Sequence, residues 1–232
     1  MLVLVLGFAV ASGFWPGQRT KNWISDLRTL HRFLPFARST YRDAAAIIAG
    51  SSQTCAEFGA HREKLFFLPE NGIERSLCAR TLHSSEPGTK LQPIFIGSLV
   101  PRKARDLALR GAATLLRDGL ARFTVVGDGP DRNRLEQLTR SFGIEKAVSF
   151  CGSLSHNEAM EQLRSSDVLV FPSIRDFGGG VVFEALALGV VPVVVDFGGP
   201  GGIVNAEVGC KVALTNETDV VSQIEEILRS FA

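Results

Sequence analysis

Three loops carry residues whose types and spacing could do chemistry. The strongest is FPSIRDFGGGVVFEALALGVVPVVV at 171–195, where Gly178, Gly179 and Gly180 stand between an apolar run and a helix predicted to begin near Val181. Backbone N–H groups at such a helix start can face a diphosphate. Asp176 lies in the loop and Glu184 one turn inside the helix. A carboxylate close to a helix N-terminus is favoured by the dipole on its own account, so a helix-stabilising role competes with a ligand-binding one. The neighbours of Glu184 are Val181, Val182, Phe183, Ala185, Leu186, Ala187 and Leu188. Its carboxylate is therefore expected to be partly buried and to need a partner, which ribose hydroxyls would supply. The second loop, GSLVPRK at 97–103, runs from a strand end through small residues to Lys103 just before a helix. A lysine there either reaches a bound phosphate or is a solvated cation at a helix start. The third, VVGDGPDRNRL at 125–135, has Gly127 and Gly129 for close backbone approach and Asp128 as a cap for the next helix. It lacks the G-x-G-x-x-G spacing and reads equally well as a plain tight turn. A further glycine-rich turn, FGGPGG at 197–202, could close over the same crevice.

The elements that must position these loops show in the alternation of apolar runs with amphipathic stretches from residue 91 onward. Strands are predicted at 93–99, 123–129, 147–152, 167–173 and 191–197, and helices at 104–117, 131–142, 157–164 and 181–188, with Pro130 at a first helical position. The strands are continuous Val, Ile, Leu and Phe runs, the mark of a parallel sheet covered on both faces and joined by right-handed crossovers. The fold class is α/β, a doubly wound, Rossmann-like parallel sheet, in which ligands bind outside the carboxyl ends of the strands.

A chain of 232 residues holds roughly one and a half domains. With 45% hydrophobic and 21% charged residues it is an ordinary globular sequence, and a net charge of +1 gives no overall case for nucleic acid. Charge is uneven: residues 1–90 carry 11 basic against 7 acidic side chains, and 91–232 carry 14 against 17. Cys55, Cys78, Cys151 and Cys210 form no C-x-x-C pair, and His61, His83 and His156 each follow a single Cys without a second ligand pair, so neither a zinc site nor a disulfide framework is expected. A reduced, cytoplasmic setting follows. The start, MLVLVLGFAVASGF, is too short to span a bilayer and lacks a signal peptide's basic region. It reads as a buried strand or helix, and a chain begun part-way through a larger gene fits it as well. Short strands are expected at 44–51 and 64–72, without enough repeats before residue 83 to close a second sheet. Between Gln18 and Arg42 six arginines and lysines interleave with apolar residues against Asp26 alone. Such a helix could lie on an anionic membrane surface or pack inside a larger domain, with Pro35 ending or kinking it.

The ordered set GSLVPRK, VVGDGP, SFCGSLS, DVLVFPS, DFGGGVVFEALALGVVPVVV and FGGPGG resembles the nucleotide-sugar-binding C-terminal domain of family 4 retaining glycosyltransferases, which have the two-Rossmann GT-B architecture. The run from AAAIIAGS to LPENGI is similar to the last elements of that family's N-terminal domain and its crossover. The resemblance implies a truncated acceptor-side remnant at 1–83, a linker at 84–90 and a donor-binding domain at 91–232. The family's pair of acids falls on Asp176, where the family has Glu, and Glu184; the second holds the donor ribose and the first contacts the transferred sugar. The phosphate-binding lysine matches Lys103. The arginine that usually shares its task is Ser98 here, with Arg102 and Arg175 as nearby replacements. Phe177, Gly178, Gly179 and Gly180 would supply backbone donors, and Ser153 and Leu154 would line the base. The acid that often follows the later double glycine is absent near Gly202.

The resemblance thus implies a retaining transferase using a UDP- or GDP-sugar, with no metal and no cofactor beyond the donor, and with an unknown glycan or lipid acceptor. A catalytically silent nucleotide-sugar-binding fragment is the alternative. A GT-B epimerase, or an oxidoreductase using the GDGP turn, is a third reading.

Overall fold

A computed structural model describes residues 2–4, 35–50, 55–56, 58–68, 71–78, 88–100, 104–174, 176 and 178–232. Two parallel sheets form. The smaller contains β1 (Leu2–Leu4), β2 (Ala46–Ala49) and β3 (Leu65–Phe67), in that order, with α1 (Pro35–Asp43) before β2. Its small core joins Ala44, Ile47 and Phe58 to Tyr41 and Leu65, and the Tyr41 and Phe58 rings meet edge to face at 5.0 Å. Pro35 is the first described residue of α1, so the reading that it ends or kinks a preceding helix falls on residues outside the described ones. The remainder of the basic segment, 18–34, lies outside the described residues, as does most of the 84–90 linker. The short helix α2 (Arg75–Cys78) follows β3.

The larger sheet has the order β6-β5-β4-β7-β8-β9, every pair parallel. Its strands are β4 (Pro93–Ile96), β5 (Phe123–Val126), β6 (Val148–Gly152), β7 (Val168–Phe171), β8 (Val191–Val195) and β9 (Cys210–Val212). The crossovers are α3 (Arg105–Arg117), α4 (Arg132–Ser141), α5 (His156–Arg164), α6 (Gly180–Ala187) and α7 (Gly198–Ile203), and α8 (Glu217–Phe231) closes the chain. All four residues of β7 are buried, as are Ile94, Phe95, Val193 and Val194 on its neighbours. This explains why the central strands read as unbroken apolar runs. α8 packs along α3, where a Cβ at Gly111 would come within 2.5 Å of Ile224 Cγ2.

Chain order reverses between β4 and β7. From β4 the chain winds outward through β5 to β6, and from β7 it winds the other way through β8 to β9. Right-handed crossovers therefore put α3 and α4 on one face and α6 and α7 on the other, which leaves a crevice at the carboxyl ends of β4 and β7. Three local details depart from the sequence reading. α4 starts at Arg132, because Pro130 and Asp131 form a turn in which the Asp131 N–H donates to the Leu99 carbonyl at 3.1 Å. Asp128 does not cap that helix: its Oδ1 accepts from the adjacent Gly129 N–H at 2.7 Å. FGGPGG is not an open turn but most of the six-residue helix α7, with Gly199, Pro200 and Gly201 buried.

Candidate functional site

The loop after β4 forms one wall of the crevice. Ser98 is exposed there, while Arg102 and Lys103 lie outside the described residues. The loop is held from below by the turn after β5. The Leu99 N–H donates to the Asp128 carbonyl at 2.9 Å, and a Cβ at Gly127 would lie 2.1 Å from the Gly97 carbonyl oxygen. At Gly129 it would lie 2.5 Å from the Leu99 oxygen. The GDG glycines thus serve backbone-on-backbone packing, the tight-turn reading. Beyond the loop, Ala104 is left-handed at φ 48° as it enters α3. Arg105 follows, 2% exposed, paired with Asp131 of the same supporting turn. Burial pulls the Arg105 guanidinium down from its usual range, against the opposing pull of Asp131 and Asp106. The pair ties the base of the 97–105 loop to the turn after β5.

The other wall is the loop between β7 and α6. Ser173 is fully buried and its Oγ has no hydrogen-bond partner among the described residues. Asp176 is half-buried and its carbonyl accepts from the Gly199 N–H at 3.1 Å, which ties this loop to α7. Arg175 and Phe177 lie outside the described residues. Gly179 is left-handed at φ 54° and leads directly into α6. Asn71, from the segment after β3, occupies the space a side chain on Gly178 would need: a Cβ there would sit 2.2 Å from its Nδ2. In the first turn of α6 the Val182 N–H already donates to the Gly179 carbonyl at 2.8 Å, while the Gly180 and Val181 N–H groups precede any acceptor the helix itself supplies and are the ones placed to meet an anion.

Four residues into α6 comes Glu184. Residues four apart share a helix face, about 6 Å along the axis. The Glu184 side chain is 22% exposed, and burial raises its carboxyl above the usual range, partly offset by His156. His156 Nδ1 stands 3.9 Å from Glu184 Oε1. Both line a cleft of about 480 Å³ between α5, α6 and the segment 72–77, whose other walls include Gly72, Glu74, Asn157 and Arg164. The structure therefore joins the glycine loop and Glu184 on one helix, at the strand ends where the sequence reading expects a ligand. Ser153 and Leu154 sit at the end of β6, exposed and half-buried respectively, just before α5 and not on the cleft. Among the described residues no group of three or more His, Cys, Asp and Glu side chains is arranged to hold a metal ion, and no helix is long and apolar enough to cross a membrane.

Asn71 and Arg105 were not singled out in the sequence, and His156 was weighed there only as a zinc ligand. His156 follows Ser155, whose spacing to Glu158 signals a capped helix start. Such a signal marks a helix start beside His156 but says nothing of the carboxylate it meets.

A family model for glycosyl transferases group 1 matches residues 83–230. The chain belongs to that family. The match takes in the larger sheet, both walls of the crevice and Glu184. Among curated relatives, an uncharacterized glycosyltransferase of Methanocaldococcus jannaschii is 29% identical over 136 residues, 58% of this chain and 35% of that one. The D-inositol 3-phosphate glycosyltransferase of Rhodococcus erythropolis is 31% identical over 159 residues, 65% of this chain and 36% of the relative. The chain spans about a third of the length of these relatives. Among solved structures, the lipopolysaccharide outer core galactosyltransferase WaaB matches with a TM-score of 0.69 at 18% identity, over 81% of this chain and 54% of that one. Anabaena HepE in complex with UDP-glucose matches with a TM-score of 0.63 at 19% identity, over 83% and 56%. At these identities the likeness concerns the fold, which is the Rossmann-like C-terminal half of GT-B with part of the other half.

Proposed function

We propose that this chain forms the donor site of a retaining, family 4 type hexosyltransferase that uses a nucleoside-diphosphate sugar. The observation that carries the proposal is Glu184, a half-buried carboxylate one turn beyond a glycine loop at the switch point of a doubly wound sheet. In this reading the α6 amides and the loop from Phe177 to Gly180 bind the diphosphate. Lys103 adds a cation, and Arg102 or Arg175 stands in for the missing arginine at Ser98. Glu184 accepts hydrogen bonds from the ribose hydroxyls, Asp176 contacts the transferred sugar, and Ser153 with Leu154 lines the base. UDP-glucose bound to Anabaena HepE makes a UDP-sugar a fitting donor to test.

The chemistry is charge stabilisation. As the bond from the anomeric carbon to the diphosphate breaks, its electron pair leaves on the diphosphate and the sugar becomes oxocarbenium-like. Preorganised amides and lysine stabilise the departing charge where it develops. The reading calls for no divalent ion and no cofactor apart from the donor. It places the acceptor-side remnant at 1–83, the linker at 84–90 and the donor domain at 91–232, in a cytoplasmic protein with peripheral membrane contact through 18–42. The acceptor would be a glycan or a lipid.

A second reading is a nucleotide-sugar-binding module without turnover. Calorimetric titration with UDP and GDP, alongside donor hydrolysis and transfer assays, separates the two. Binding with turnover supports the transferase, binding without turnover the module, and no binding by either nucleotide removes both. Preference for NAD would support a dehydrogenase instead.

A further inference from the structure

The proposed ribose contact has a histidine neighbour that no motif marked. His156 is the first residue of α5, whose start is already secured: the Ser155 N–H donates to Glu158 Oε2 at 2.8 Å, and the Glu158 N–H donates to Ser155 Oγ at 3.3 Å. The imidazole is thus free of any capping duty. It is 67% exposed, and its Nδ1 stands 3.9 Å from Glu184 Oε1 across the cleft they share. The other charged groups facing that cleft are Glu74, from the segment after Gly72, and Glu161 with Arg164 on α5, which pair at 2.8 Å; Asp176 precedes α6. With Arg164 engaged by Glu161, His156 is the group placed to meet Glu184.

Resting on the donor reading above, we propose that His156 is a positioning residue for the ribose contact. It holds the Glu184 carboxylate in the orientation that accepts the ribose diol, and so sets how strongly the site prefers ribonucleotides to deoxyribonucleotides. The physical basis is preorganisation. A glutamate side chain has several rotatable bonds, and a partner that restricts them before the ligand arrives removes ordering cost from binding. A residue needed only for the integrity of α5 would affect both kinds of nucleotide alike.

The test is calorimetric titration of the 232-residue chain with UDP and 2′-deoxy-UDP, and with the GDP pair. The wild type is expected to prefer the ribonucleotide by about tenfold or more, the scale of a hydrogen bond to a charged group. His156→Ala reduces that preference about threefold or more, on the scale of a modest preorganisation effect, while affinity for the deoxy form stays unchanged. His156→Gln, whose amide can still donate to the carboxylate, restores part of it. In a Glu184→Gln background His156→Ala changes nothing. An unchanged ratio in His156→Ala, an equal loss for both nucleotides, or an effect that persists beside Glu184→Gln overturns the inference and leaves the donor site standing. A wild type that binds both forms equally overturns the ribose contact itself, and one that binds neither UDP nor GDP overturns the donor reading.

Discussion

Replacing Glu184 by Gln should push stability and binding in opposite directions. The substitution keeps the shape of the side chain and removes its charge. In the free protein burial raises the Glu184 carboxyl above its unfolded value, and His156 offsets only part of that. The folded state therefore holds the proton more tightly than the unfolded one. The ionised carboxylate costs stability above the raised folded value, and the cost disappears as pH falls below the unfolded value. Glu184→Gln is accordingly expected to raise the Tm of the ligand-free chain at pH 7.5, and the gap should close as the pH approaches 4. For a domain of this size each 1 kcal/mol moves Tm by about 2–4 °C. Donor binding should respond the other way. Loss of a charge-assisted hydrogen bond of about 1.5–3 kcal/mol weakens UDP or GDP by roughly 10- to 150-fold. Wild-type affinity should rise with pH as the carboxyl ionises, and the variant's profile should be flat over that range. Differential scanning calorimetry between pH 4 and 8, with titration calorimetry at the same points, reads both effects. A variant that melts below wild type at pH 7.5 and binds nucleotide equally well would refute the reasoning.

Three further outcomes are expected. Gly127→Ala adds a Cβ 2.1 Å from the Gly97 carbonyl oxygen at a φ of 124°; the clash and the backbone strain should together cost about 3 kcal/mol or more, seen as a lower urea midpoint. Ala104→Gly relieves a left-handed alanine at φ 48°. Relief of about 1–2 kcal/mol of strain, less the greater unfolded freedom of glycine, should raise Tm by a few degrees, and an unchanged or lower Tm would count against strain at that residue. Lys103→Ala should weaken UDP or GDP binding by about 1.5–3 kcal/mol in titration calorimetry while leaving the melting curve unchanged.

The central strands of the larger sheet were legible because they are buried on both faces. Runs such as VLVF at 168–171 and VPVVV at 191–195 can satisfy both faces only inside a parallel sheet. The starts and ends of the four predicted helices, α3 to α6, followed from periodicity to within a residue or two, whereas α7 and α8 were not read from the sequence. The start of α4 was set by another segment: the hydrogen bond from the Asp131 N–H to the Leu99 carbonyl keeps Pro130 out of the helix. The glycine triplet and Glu184 were legible because three glycines between a strand and a helix, followed by an acid among apolar residues, have few structural uses.

Residue types and their periodicity determined the doubly wound sheet, the loop that faces its switch point and the partly buried acid one turn inside α6. Those are properties of neighbouring residues, carried by dihedral preference and by the apolar pattern. Tertiary structure alone decided which distant groups meet. It set Asn71 against Gly178, Arg105 against Asp131 and the Gly127 turn beneath Gly97. It also decided that the carboxylate would face His156, 28 residues earlier in the chain. That last meeting depends on how two crossover helices lie side by side on one face of the sheet, and no local preference in either segment encodes it.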